Sequence, residues 1–449
     1  MADSQPFPPA QRKKILRVLF FSLLLDLVRI SSFLPPSFSS FTKPPANHLP
    51  LSQISFTFIL PLFPKLLEFY RNLEASSLST TPLNPLTPPT LLTRILTALN
   101  TYKSSFSRPI SPHHDIVLLG GALGSLFSLC QALASPLIGR LSDTHGRRTA
   151  LLWSMSGNIL SVALWVAAVD FRTFLASRVV GGLSEGNVQL ATAIAADISS
   201  EEQRGATMAM VGACFSVAFT FGPALGAALA GLRFVKGNPF ATAAGFSLVL
   251  IVAETLYLYF CLPETLPSRQ VQSESEKVKN ANGKAANGGT TTSATPDKSS
   301  TPTPHRRTNT HLSLNSTHFL FILFFSGLEF SLSFLSFDLF AYTSPQQGRL
   351  LGFIGLVASI LQGGVTRRIH PLRAVQMGVV SCAVAFAMLG RVTSERGLYA
   401  AAASLAVTSA TVVTGLNGLA SFEAGSGERG RVMGWHRSFG ESKKASRFL

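Results

Sequence analysis

The stretch Gly139–Arg148 reads "GRLSDTHGRR". Five of its ten residues carry polar ionisable groups: Arg140, Asp143, His145, Arg147 and Arg148. Only 13% of the chain is charged, and the runs on either side, 116–138 and 150–169, are almost free of charge. An apolar run of about 20 residues crosses a bilayer as a helix. A charged decapeptide between two such runs is the turn joining two membrane spans. Gly139 and Gly146 supply a tight turn and close helix approach. Asp143 is suited to accept hydrogen bonds from a neighbouring helix N-terminus or an arginine.

The rest of the chain fits that reading. It has 449 residues, 47% hydrophobic, with 34 Phe and a mean hydropathy of +0.32. The first span begins at Ile15 and breaks near Leu27. Further spans are expected at 116–138, 149–169, 172–195, 205–230 and 239–262, then at 317–341, 348–365, 372–390 and 397–418. That is ten in all. Residues 267–315, rich in Ser, Thr, Asn, Gly and Lys, bury too little apolar surface to fold and read as a disordered linker. The expected organisation is residues 1–14 as a cytoplasmic N-terminus and 15–266 as a first helical bundle, with a long non-cytoplasmic loop over 71–115. The linker and an incomplete second bundle over 316–440 follow.

The net charge of +16 is collected in loops. Arg140, Arg147 and Arg148, then Arg367, Arg368 and Arg373, then Arg429, Arg431 and Arg437 mark one side. By the positive-inside rule that side, with the N-terminus and linker, is cytoplasmic. No basic stripe with interleaved aromatics suggests nucleic acid. Cys130, Cys214, Cys261 and Cys382 lie in apolar runs and read as buried thiols. "SPHHD", with His113, His114 and Asp115, reads as solvated loop. No nucleotide loop, nucleophile elbow or paired-cysteine motif occurs, so neither an enzyme nor a cofactor is expected.

Ionisable groups within spans are costly, about 2.5–3.5 kcal/mol at the centre. Asp26, Arg178, Glu185 and Glu329 stand there, with Asn187, Gln189 and Asn417 as polar neighbours. Placed on one continuous helix, Arg178 and Glu185 share a face. They serve either as interhelical fasteners or as the lining of a midplane site where a carboxylate exchanges a proton for cargo.

The pattern G-x-x-x-D-x-x-G-R-R resembles the loop signature between the second and third helices of the major facilitator superfamily, with Thr144 where a basic residue is usual. "ASRVVGGLSEGNVQLATAIAADIS", with Arg178, Gly182 and Gly186, resembles its fourth-helix arginine motif. "GACFSVAFTFGPALGAALA", with Gly212, Gly222-Pro223 and Gly226, resembles the Gly-Pro signature of drug:proton antiporters. "CLPETLP" resembles the close of the sixth helix in many superfamily members, and "GLEFSLSF" and "QGGVTRRIHP" resemble the tetracycline-transporter-like branch. The resemblance implies an all-α membrane protein of two six-helix bundles. It also implies a latch at Gly139, Asp143, Gly146, Arg147 and Arg148, and transport of a drug-like molecule or organic anion by alternating access, coupled to protons. A monomer in the plasma membrane or an endomembrane is expected. A non-transporting membrane protein or a nonfunctional truncated product, and a sugar or metabolite uniporter, are the alternatives.

Six helices per half is the superfamily norm. Removing Val28–Gln53 would join the first span's flanks around Asp26. Val28-Arg29-Ile30 can be encoded by a donor-like GTACGTAT, and Gln53 by an acceptor-like CAG. Gly440-Glu441-Ser442 can again be donor-like. Residues 28–53 and 441–449 are therefore expected to be read from unspliced introns of a fungal gene. The last two helices, and with them the latch's partner, are expected to be missing.

Overall fold

The computed structural model describes residues 15, 66–73, 90–104, 115–230, 240–266, 310–340, 342, 344–424 and 428–446. Among them every regular element is helical. The first half contains α1 (Leu91–Ser104), α2 (Asp115–His145), α3 (Arg147–Val166), α4 (Phe171–Ser184), α5 (Asn187–Ile198), α6 (Glu201–Ala230) and α7 (Ala241–Cys261). The second contains α8 (Thr310–Phe340), α9 (Ser344–Gly364), α10 (Pro371–Leu389), α11 (Glu395–Glu423) and α12 (Arg429–Ser446). Six helices among the described residues are long and apolar enough to cross a membrane. Leu133, Leu137, Phe260, Ile360 and Val380 point outward and stay exposed. An aqueous surface would penalise such a display, whereas lipid accepts it.

Local chemistry sets the helix ends. Pro371 opens α10 at its first turn, where the missing N–H costs nothing. The Ser394 hydroxyl accepts from Gly397 N at the start of α11. Inside the first half, Tyr70, Trp165, Phe174 and Phe240 form a core at one end. Met155, Ile194, Ile251 and Leu258 form another. The second half packs Phe325, Leu332, Leu405 and Leu416 between α8, α9, α10 and α11.

Several expectations are corrected. The 139–148 stretch is not a loop: α2 runs helical through His145, and the turn is the single residue Gly146, at φ 102°. Only glycine takes that conformation without strain. The span drawn over 172–195 is two helices, broken at Glu185-Gly186, so Arg178 and Glu185 do not share a face of one helix. Residues 71–115 are not all loop, since α1 lies within them. α8 begins at Thr310, inside the segment read as linker.

The largest correction concerns the latch's partner, expected to be missing: residues 429–446, outside the ten expected spans, form helix α12, which supplies that partner and whose backbone continues helical to Ser446, through the start of the expected tail. α12 lies along α2. Gly139 faces the Gly430 carbonyl closely enough that no side chain fits at either position, and a Cβ on Gly434 would stand 2.5 Å from the Ser135 carbonyl. Asp26 and residues 28–53 lie outside the described residues.

Candidate functional site

The two halves meet in a buried charge cluster at the end that carries Gly146. Arg147, the first residue of α3, is fully buried. Its guanidinium donates to Asp143 at 2.5 Å, to Asp197 at 2.7 Å and to the Ser142 hydroxyl at 2.7 Å. Asp197, near the end of α5, also accepts from Arg429 Nη1 at 3.0 Å across the half boundary. Asp143 turns both oxygens to the start of α12: Oδ1 accepts from Gly430 N at 3.0 Å and Oδ2 from Arg431 N at 2.7 Å. The first amides of a helix have no intrahelical acceptor and carry the positive end of its dipole, so a carboxylate completes them. Two carboxylates against two guanidiniums leave the cluster neutral, which burial requires.

Neighbouring groups hold it in place. Glu264, from the "CLPETLP" stretch, accepts from Arg147 N at 2.8 Å, which caps α3, and its same oxygen accepts from Thr265 N and Leu266 N of its own stretch. Arg204 on α6 donates to the Ser421 carbonyl at 3.2 Å, near the C-terminus of α11, with its guanidinium 5.1 Å from the Phe422 ring centre. Pro136 has no N–H to give the Ala132 carbonyl four residues earlier. The Ser438 hydroxyl of α12 fills that vacancy at 2.7 Å. Arg148, placed in the latch from the sequence, turns instead to α7, lying 5.4 Å over the Tyr259 ring and donating to the Tyr259 carbonyl.

Deeper in the first half, Arg178 is buried in an aromatic cage. Its guanidinium lies 5.5, 5.9 and 6.0 Å from the rings of Phe174, Trp165 and Phe127. Cation–π contact suits a desolvated arginine. Glu185, at the break between α4 and α5, interacts electrostatically with it and accepts from Asn158 at 3.2 Å. Asn187 accepts from Ser154 at 2.8 Å, and Gln189 donates to the Ser135 carbonyl at 2.9 Å. Ser154 also accepts from Gly186 N, so α3 supplies the bond that the helix break forfeits.

Of the remaining candidates, Glu329 stands on α8, and Gly222, Pro223 and Gly226 stand on the second half of α6. Gly212 sits at the half boundary against Thr414 and Gln362. Asn417 on α11 is half-buried. Sequence reasoning passed over Asp197, Glu264, Arg204 and Ser438, and read Arg429 only as a charge that sets topology. It also missed Glu254, buried on α7 between Ile251 and Leu258. A lone carboxylate in an apolar run was the signal for Glu254, as it was for Glu329.

Two helical bundles with apolar outer faces, a polar interior and a neutral charge clasp across their boundary define a multi-pass membrane protein of the two-bundle carrier class. The chain belongs to the Major Facilitator Superfamily, whose family model matches residues 73–442. It is 33% identical over 441 residues to the mouse "Major facilitator superfamily domain-containing protein 10", covering 97% of this chain and 86% of that one. Over 146 residues it is 32% identical to the class G tetracycline resistance protein of Vibrio anguillarum, covering 32% of this chain and 37% of that one. Its fold matches the crystal structure of the human organic anion transporter MFSD10 (TETRAN) with a TM-score of 0.74 at 30% identity, covering 98% of this chain and 92% of the human one. The resemblance to the superfamily and its tetracycline-transporter-like branch, and the two-bundle all-α fold, thus stand as expected.

Proposed function

We propose that the protein is a secondary transporter that moves a small organic anion by alternating access, in exchange for protons. The observation that carries this reading is the clasp. A carboxylate of one half caps a helix of the other, and Asp197 accepts an arginine from each half. These bonds hold one end shut and can be exchanged for water when the halves rock apart. Orientation by loop charge puts the clasp end on the cytoplasmic side, so the described arrangement is closed inward. Arg178, caged by aromatic rings, supplies positive charge for an anion and apolar surface for its organic part. Glu185, with Asp26 and Glu329, is assigned to proton coupling. The similarity to the human organic anion transporter supports the substrate class. We place the protein in the plasma membrane or an endomembrane, as a monomer. Uptake of a panel of labelled organic anions into proteoliposomes, with and without a pH gradient, tests the reading. Saturable uptake that an opposing proton gradient accelerates is expected; no uptake of any anion would overturn it.

A further inference from the structure

A second cross-half contact lies apart from the charge clasp, where α6 of the first half crosses α9 and α11 of the second. Ser216 on α6 donates its hydroxyl to Gln362 Oε1 at 2.7 Å. Gln362 on α9 turns its amide nitrogen to Thr414 Oγ1 on α11, 3.4 Å away. All three side chains are buried. Space for them comes from Gly212, one turn before Ser216. A Cβ there would stand 2.6 Å from Thr414 Oγ1 and 2.9 Å from Gln362 Nε2. One turn after Ser216, Gly355 of α9 lies against Thr220 and the Ser216 carbonyl, so the α6 and α9 backbones run close there.

We propose that the Ser216–Gln362 hydrogen bond is a gate lock at this seam, and that Gln362 is a positioning residue setting the balance between the two access states. The inference rests on the alternating-access reading above. When the halves part, only the Ser216 bond must break. Gln362 and Thr414 both belong to the second half, so their contact travels intact and keeps the amide aimed for reclosure. The chemistry also accounts for the polarity of the lock. An apolar pair here would be wetted on every opening and would favour permanent closure. A hydrogen bond exchanged for water is close to neutral, so the gate stays reversible.

That chemistry makes the two partners unequal. Ser216→Ala strands Gln362 Oε1 in the buried seam and shifts the open-to-closed ratio toward open by roughly 5- to 100-fold. Gln362→Leu leaves a hydroxyl that can turn back to a carbonyl of its own helix, so its shift is smaller, about 2- to 10-fold. The double variant removes both polar groups. It returns the ratio to the wild-type value or beyond it toward closed, the reverse of adding the two single effects. Ser216→Thr keeps the hydroxyl and keeps the wild-type ratio.

Spin labels at Thr144→Cys and Arg367→Cys, both exposed and one in each half, read the opening as a distance distribution. Cys261→Ser removes the one native cysteine that is only partly buried. The full chain in nanodiscs is expected to gain long distances in Ser216→Ala and to lose them again in the double variant. A Ser216→Ala distribution matching wild type, or a double variant more open than either single one, would overturn the proposal. The distances need no solute, so a wild type that opens and closes but moves no organic anion would refute the substrate reading and leave the lock intact.

Discussion

Removing the Asp143 carboxylate perturbs the clasp most cleanly. Asp143→Ala deletes two charge-assisted bonds to the α12 amides and one to Arg147. Arg147 keeps Asp197 and Ser142, so its charge is not orphaned. A hydrogen bond to a charged group contributes about 1.5–3 kcal/mol. Asp143 is slightly exposed and its two amide bonds act together, so the lower figure applies and their sum is about 3 kcal/mol. At about 1.4 kcal/mol per decade, the open-to-closed ratio rises about 100-fold. Asp143→Asn keeps one acceptor oxygen and loses the charge, and a rise of about 10-fold is expected for it. Hydrogen exchange resolves this at the amides themselves: Gly430 and Arg431 should lose protection in the order wild type, Asn, Ala. Transport in proteoliposomes should slow in the same order, with insertion and expression unchanged. Unchanged protection at Gly430 and Arg431 in Asp143→Ala, together with unchanged turnover, would refute the reasoning.

Arg178→Ala should lower the apparent affinity for an organic anion at least tenfold, by loss of a charged hydrogen-bonding partner, while Arg178→Lys recovers part of it; equal affinity in all three proteins would make the arginine a fastener only. Glu329→Gln should abolish proton-driven accumulation and leave downhill exchange, measured as uptake with and without a pH gradient. Sequencing of the messenger RNA is expected to yield a dominant transcript lacking the codons for Val28–Gln53; a dominant transcript that retains them would reject the intron reading.

That the chain turns within Gly139–Arg148 was legible, though not that Gly146 alone makes the turn, because dense charge between two apolar runs is tolerated where the chain leaves the bilayer and costly within it. Asp143 and Arg147 were legible on the same ground. Asp197 was not. It stands at the end of an apolar run, just before Ser199-Ser200-Glu201-Glu202, and looks there like the start of a solvated loop. Only the fold shows it buried between Arg147 and Arg429. The break at Glu185-Gly186 was hidden because hydropathy continues across it, and because the Ser154 hydroxyl that replaces the lost helical bond comes from another helix. α12 was missed for a different reason. Its face is buried against α2 and α8 through glycines, Ser438 and a stacked pair of imidazoles, His318 and His436, with ring centres 4.2 Å apart. It therefore needs little of the hydropathy by which a lipid-facing helix announces itself.

Counterflow tests the central account most directly. Proteoliposomes are loaded with an unlabelled organic anion and diluted into a trace of the same anion carrying a label. A site open to one side at a time predicts that label accumulates inside above its equilibrium level and then decays. Asp143→Ala should blunt that overshoot. Label that only approaches equilibrium, at every pH and for every anion tried in the wild type, would contradict alternating access in this chain.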